Sequence, residues 1–190
     1  MKVFGVLPFA RFLLQQAIQP GDVAVDCTVG NGHDTLFLAN LVGKDGLVYG
    51  FDIQEQAITA TTQRLQEHHV LSRVELVQTG HEHVRKVVPE LEYSRLKGAI
   101  FNLGFLPGGD KSIVTKPTST LAAISALLEM MAPSAIIVLV IYHGHDEGKE
   151  EKNQILSFVE QIDQRHAHVL KYEFINQVND PPFIIAIEKR

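Results

Sequence analysis

A single cysteine, Cys27, stands in 190 residues, and tryptophan is missing altogether. One cysteine forms no internal disulfide, which fits a reducing cytoplasm. No apolar run reaches the roughly 18 residues that a membrane helix needs, so no membrane partner is expected. The opening MKVFGVLPFARFLLQQAIQ lacks a strongly basic start and a small-residue cleavage site, and Arg11, Gln15 and Gln16 interrupt it. It reads as an amphipathic helix, at about residues 8–19, packed on the domain. An excess of basic residues is missing too. Seventeen Lys and Arg against 22 Asp and Glu leave a net charge of −5, which disfavours unspecific nucleic-acid binding. Nine histidines can still add positive charge to a local patch. His-Glu-x-x-His is absent, and the three His-x-His pairs (His81/His83, His143/His145, His166/His168) fall on different elements, so no metal is expected. Repeats, low-complexity tracts and linkers are absent as well. The reading is one domain over 1–190.

What is present is alternation. Apolar runs at Asp22–Val29, Gly46–Ile53, Arg73–Gln78, Lys97–Leu103 and Ala135–Tyr142 read as strands. Stretches at Asp34–Val42, Gln54–His69, His83–Leu91, Lys116–Met131 and Gly148–Asp163 read as helices. Pro117 sits in the first turn of its helix, where proline is tolerated. Two final strands, HVLKYEFIN and PPFIIAIEKR, have only a turn at Asn179–Pro182 between them. The fold class is therefore α/β, a doubly wound, mostly parallel sheet with an antiparallel edge.

In such a sheet a ligand lies beyond the carboxyl ends of the strands, where strand order reverses. The first strand ends in DCTVGNGHDT, Asp26 to Thr35. Gly30 and Gly32 allow a sharp turn and a close approach, and the next helix points its N-terminus at the same spot. A glycine pair after a strand is often only a turn. Here a second strand follows and ends in Asp52, about 20 residues on, where a carboxylate accepts ribose hydroxyls. Asp34 and Thr35 stand where a dinucleotide loop has its third glycine, and Asp34 would repel a pyrophosphate. A ribose-bearing cofactor without phosphate suits the site better. S-adenosylmethionine is such a cofactor, and its cationic amino group and sulfonium make Asp26 and Asp34 attractive partners. Asn31, Gly32, Thr35, Ile53 and Gln54 complete the expected cofactor contacts, with His81 and Glu82 on the adenine rim and Asn102 near the methyl group.

The fourth strand runs into Asn102 and then a glycine-rich loop. An amide oxygen there can accept a hydrogen bond from an amine and aim its lone pair at a methyl donor, which is catalysis by positioning. The bland alternative is a turn cap. Phe105 can stack on a base. Leu106 and Pro107 continue that loop, Gly108 and Gly109 let it approach a nucleotide, and Asp110 and Lys111 can meet an amine and a phosphate. On the same rim, after the fifth strand, Tyr142, His143 and His145 are candidate bases or substrate contacts. Cys27 is badly placed to attack a pyrimidine carbon, which leaves nitrogen or oxygen as the methyl acceptor. The run GKEEK at Gly148–Lys152 reads as the solvated start of a helix.

Several stretches taken together, DCTVGNGHDTLFLA, FDIQEQAI, GHEH, FNLGFLPGGDK and YHGHDEGKEE, resemble the small bacterial rRNA methylase family within the class I S-adenosylmethionine-dependent methyltransferases. The resemblance covers nearly the whole chain. It implies a Rossmann-like seven-stranded sheet and N-methylation of the 5-aminomethyl group on wobble 2-thiouridine in tRNA, giving 5-methylaminomethyl-2-thiouridine. Many amino-methyltransferases carry an Asp/Asn-Pro-Pro-aromatic tetrad. Asn102-Leu103-Gly104-Phe105 keeps its first and last members in kind and lacks the prolines. Competing expectations are methylation of rRNA or of a small amine, and a non-catalytic RNA-binding module. The expected partner is the anticodon region of tRNA. With no appended RNA-binding module in sight, a homodimer would supply further docking surface.

Overall fold

A computed structural model describes residues 3–104, 108, 114–144 and 146–190, the last stretch without the side chains of 146 and 147. Among these residues six α-helices, α1 (Val6–Ala17), α2 (His33–Val42), α3 (Glu55–Glu67), α4 (Val84–Val87), α5 (Pro117–Met130) and α6 (Asp146–Val159), pack on one sheet. Its seven strands are β1 (Val23–Asp26), β2 (Leu47–Asp52), β3 (Val74–Gln78), β4 (Leu96–Leu103), β5 (Ile136–Ile141), β6 (Ala167–Tyr172) and β7 (Phe183–Lys189). The order is β3-β2-β1-β4-β5-β7-β6. β3 to β5 are mutually parallel, and β7 runs antiparallel between β5 and β6. The sequence anticipated an antiparallel β6–β7 pair. β7 pairs with β5 on its other side, and the chain reverses between β6 and β7 in a connection that carries Asn179 and Asp180 at φ 67° and 49°.

The central strands β1, β2, β4, β5 and β7 are buried on both faces, so they read as continuous apolar runs, while the edge strands β3 and β6 are more exposed. Geometry nonetheless deals successive side chains to opposite sides. Along β5, Ile137, Leu139 and Ile141 join Ala123, Ile124 and Leu127 of α5 and Ile155 of α6. Ile136, Val138 and Val140 join Ala10 and Leu14 of α1 and Leu38 of α2. Helix α1 seats on β4 across Gly98. A Cβ there would stand 2.5 Å from the tip of Ile18 and 3.3 Å from Leu14, so a larger residue would have to displace these side chains.

Several boundaries differ from expectation for local reasons. The first strand stops at Asp26, whose carboxylate accepts the Thr28 amide at 3.1 Å and turns the chain. The expected helix at 83–91 is a 3-10 turn (His81–His83), the single turn of α4 and a second 3-10 turn (Glu90–Arg95). Pro89 bars helical geometry at the residue before it, and Val88 is extended. Helix α1 runs two residues earlier than the reading at about 8–19. The GKEEK run lies within α6, and Glu151 in it is buried rather than solvated.

Candidate active site

The carboxyl ends of β1, β2, β4 and β5 open into one cavity of about 770 Å³, at the point where strand order reverses between β1 and β4. Its volume suits a ligand of cofactor size. The β1–α2 loop forms the floor. Asp26 lies beneath this loop, fully buried, and accepts the Thr28 amide at 3.1 Å and the Thr35 hydroxyl at 2.7 Å. Burial, reinforced by the Asp34 carboxylate, pushes its carboxyl up to about 7 against those two hydrogen bonds. Gly32 has φ 76° and packs on α3, where an added Cβ would stand 2.6 Å from Thr61 Oγ1. Thr61 donates to Gly30 O at 3.1 Å, and Arg64 Nε donates to Asn31 O at 2.7 Å. Asp26, Gly32 and Thr35, expected as direct contacts, lie behind the cavity lining in this structure. They shape the loop that lines it.

Asn31, Asp34, Asp52, Ile53, Gln54, His81, Glu82, Asn102 and Tyr142 all reach the cavity wall. At the end of β2, Asp52 accepts the Gly30 amide at 2.9 Å on one oxygen and the Gln54 amide at 3.0 Å on the other. Each oxygen keeps a lone pair, so the clasped carboxylate can take a pair of hydroxyls from a ribose. On the far wall His81 points Nδ1 at Cys27 O, 2.8 Å away. A carbonyl only accepts, so Nδ1 carries the proton. Burial holds the His81 pKa below its usual value, which keeps the ring neutral. Burial also pushes the Cys27 thiol well up, so no reactive thiolate stands in the cleft.

The methyl-transfer end is built around Asn102. Its backbone amide donates to Thr28 Oγ1 at 2.7 Å, and its Nδ2 donates to Asp34 Oδ2 at 2.9 Å. The other Asp34 oxygen accepts Arg11 Nε at 3.0 Å and Nη2 at 2.8 Å. Asp34 is thus already paired rather than free to attract a cation. The same pairing has a consequence for Asn102. Facing a carboxylate, the amide must present its NH2, which leaves its oxygen as the end available to a donor. Tyr142 stands on the same wall. Burial, then the Asp34 charge, raises its phenol above the ordinary value, so it is a neutral hydrogen-bonding group rather than a base near neutral pH.

The model of the family described as "Putative rRNA methylase" matches residues 48–188. The chain belongs to that family. It is 34% identical over 189 residues to the tRNA (mnm(5)s(2)U34)-methyltransferase of Arabidopsis thaliana chloroplasts, a match spanning 95% of this chain and 68% of that one. Among solved structures, a protein of the family's own description from Clostridium thermocellum superposes at TM-score 0.96, with 41% identity over the whole of both chains. A Streptococcus mutans chain crystallised in complex with SAH follows at TM-score 0.89 and 37% identity, covering 99% of both chains.

Against this methylase frame, the structure turns His143 away from the cleft. Its ring is 6% exposed, edge-on to Phe183 at 5.4 Å and 4.0 Å from Asp180 Oδ1. It borders a separate polar cavity of about 440 Å³ with Lys152 and Asn179. Among the described residues neither ring nitrogen reaches a partner at good hydrogen-bond geometry, and burial, then the Lys152 charge, lowers its pKa against weak backbone contacts at Pro181. The expectation of a base at His143 is corrected accordingly. Phe105, Leu106, Pro107, Gly109, Asp110, Lys111 and His145 lie outside the described residues, while Gly108 is exposed at φ 83°. Sequence reasoning missed Leu7 and Arg11 of α1, the Thr28 hydroxyl, and the Thr115–Ser119 wall. Thr28 had a signal, since it lies inside the quoted loop. Arg11 had none, because its partner Asp34 is 23 residues away on another helix.

Proposed function

We propose that the chain transfers a methyl group from S-adenosylmethionine to the 5-aminomethyl nitrogen of wobble 2-thiouridine in tRNA, giving 5-methylaminomethyl-2-thiouridine. The observation that carries the reaction is Asn102, held by Thr28 and Asp34 at the switch point with its amide oxygen left for a donor. The likeness to the chloroplast tRNA methyltransferase over 95% of the chain supports the acceptor.

When bound, S-adenosylmethionine supplies an electrophilic methyl on a sulfonium, and the protein supplies orientation and electrostatics. Asp52 takes the ribose hydroxyls, with Ile53 and Gln54 beside it and His81 and Glu82 along the base. Asn102 Oδ1 accepts an N–H from the acceptor amine and directs its lone pair along the line of attack. Tyr142 adds a neutral hydrogen bond at the same centre, and the sequence from Phe105 to Lys111 is read as meeting the flanking nucleotide. Asp34 is held by Arg11, so its charge orients Asn102 rather than pairing with the amine. Among the described residues the centre offers a neutral phenol and an amide, so neither of these takes the acceptor's proton. Docking on the anticodon region follows from this substrate, a cytoplasmic location is the accompanying reading, and a second copy of the chain would enlarge the docking surface.

The test is nucleoside mass spectrometry of tRNA from a strain lacking the gene. Accumulated 5-aminomethyl-2-thiouridine, converted to the methylated nucleoside by the purified protein and S-adenosylmethionine, is the expected result. An unchanged wobble profile would remove the tRNA assignment. The family's description favours rRNA as the second reading, and the same experiment on rRNA then decides it.

A further inference from the structure

The Lys-Glu run in α6 contains one carboxylate that is not at the surface. Glu151 is 2% exposed, and it does not line the cleft. One of its oxygens accepts the Thr115 hydroxyl at 2.5 Å, and the other accepts the Thr120 hydroxyl at 2.7 Å. Thr115 passes the connection on. Its Oγ1 accepts the Gly104 amide at 3.1 Å, while its own amide donates to Gly104 O at 3.1 Å. Gly104 follows Asn102 by two residues, and Tyr142 N is tied to the intervening Leu103 O at 3.1 Å. On the other arm, Thr120 Oγ1 lies 3.5 Å from His81 Nε2, on the opposite wall.

Burying a carboxylate costs several kcal/mol unless hydrogen bonds offset it. Packing alone would be served better by an apolar residue of similar size. Two of its partners, the hydroxyls of Thr115 and Thr120, belong to the elements that form the cleft: the end of β4 through Thr115, and the start of α5 through Thr120. Gly104, Thr115 and Ser119 all face the cavity. We propose that Glu151 is a positioning residue for methyl transfer, fixing the Asn102–Gly104 strand end against the Thr115–Ser119 wall through the two threonine hydroxyls. The proposal rests on the reading of this cleft as the site of methyl transfer, and not on which RNA is the acceptor.

The decisive pair of variants is Thr115→Val and Thr115→Ser. Valine keeps the shape and removes the hydroxyl; serine keeps the hydroxyl. Methyl transfer to unfractionated tRNA from a strain lacking the gene would be followed with labelled S-adenosylmethionine. Cofactor Kd would be read by calorimetry, melting by circular dichroism, and Gly104 amide exchange by NMR. Thr115→Val should lower kcat about tenfold or more with the cofactor Kd changed less than about threefold, and its Gly104 amide should exchange faster. Thr115→Ser should restore both. Glu151→Gln should act in the same direction, and combined with Thr115→Val it should cost less than the product of the single effects. A folded Thr115→Val protein with the parent kcat would overturn the proposal. So would a loss of kcat that serine does not rescue. If the parent protein transfers nothing to tRNA, the substrate assignment falls instead. The Gly104 exchange contrast between the two Thr115 variants then still decides, and no contrast overturns the positioning role.

Discussion

Asn102 is anchored from two sides before any ligand arrives, and the second anchor is itself anchored. Arg11 fixes Asp34, Asp34 fixes the amide NH2, and the amide oxygen is left for the acceptor. An interaction of this kind contributes to orientation more than to cofactor affinity. Asn102→Ala should therefore lower kcat by about 100-fold with cofactor Kd within about threefold. Steady-state kinetics beside calorimetry checks this, and parallel losses in both would move Asn102 to the cofactor side. Asp26, beneath the same loop, makes a prediction about stability. Its carboxyl titrates near 7 in the folded chain instead of near 3.8. Between those values the folded state holds a proton that the unfolded state has released, so stability declines as pH rises from about 4 to about 7. Asparagine does not titrate, and the Thr35 hydroxyl can turn to accept from its amide. Asp26→Asn should flatten this decline. Urea unfolding of both proteins at pH 5 and pH 8 measures it, and an unchanged difference between the two pH values would refute the assignment.

Among the elements, α1 does more than cover the sheet. Leu14 and Ile18 seat it over Gly98, and that seating carries Leu7 and Arg11 to the cleft. Gly98→Val would force side-chain atoms into space held by Ile18 and Leu14. A cost of about 1–3 kcal/mol is expected from such overpacking, together with reduced activity as Arg11 moves off Asp34. Urea unfolding and a transfer assay report the two effects separately, and a variant of unchanged stability would refute the packing argument. How legible each element was depended on whether its meaning is local. Asp52 and Asn102 could be found because a strand end followed by a polar residue is visible along the chain. Asp26 and Thr35 were found as part of the loop, but the sequence does not say that their side chains turn to each other behind the cavity. Tyr142 and His143 illustrate the same limit. They leave β5 as neighbours, and strand alternation sends one to the cleft and the other to the Phe183 side. The alternation in β5 contained that answer, but an unbroken apolar run hides its two faces. Glu151 was illegible for another reason. A Lys-Glu run looks solvated at every position, and only the approach of α5 to α6 buries one of them.

At the scale of the molecule, the cleft joins elements from both halves of the sheet, so cofactor binding should tie local contacts to global stability. The floor comes from the β1–α2 loop, one wall from β2 and the other from β4, β5 and α5. A ligand that binds only this assembled cleft stabilises the whole fold by mass action. At a concentration of 100 times Kd the gain is about 2.7 kcal/mol. For a chain of this size that corresponds to a rise in Tm of roughly 5–11 °C. Asp52 gives the prediction its residue-level control, because it clasps Gly30 and Gln54 at the strand end and offers the remaining lone pairs to a ribose. Asp52→Ala should fold, with somewhat lower Tm in the absence of ligand, and should lose most of the rise produced by S-adenosylmethionine. Thermal melts of both proteins with and without the cofactor make the comparison. A variant that keeps the full rise would mean that the ribose is held elsewhere, and that the acid at the end of β2 serves only the loop it clasps.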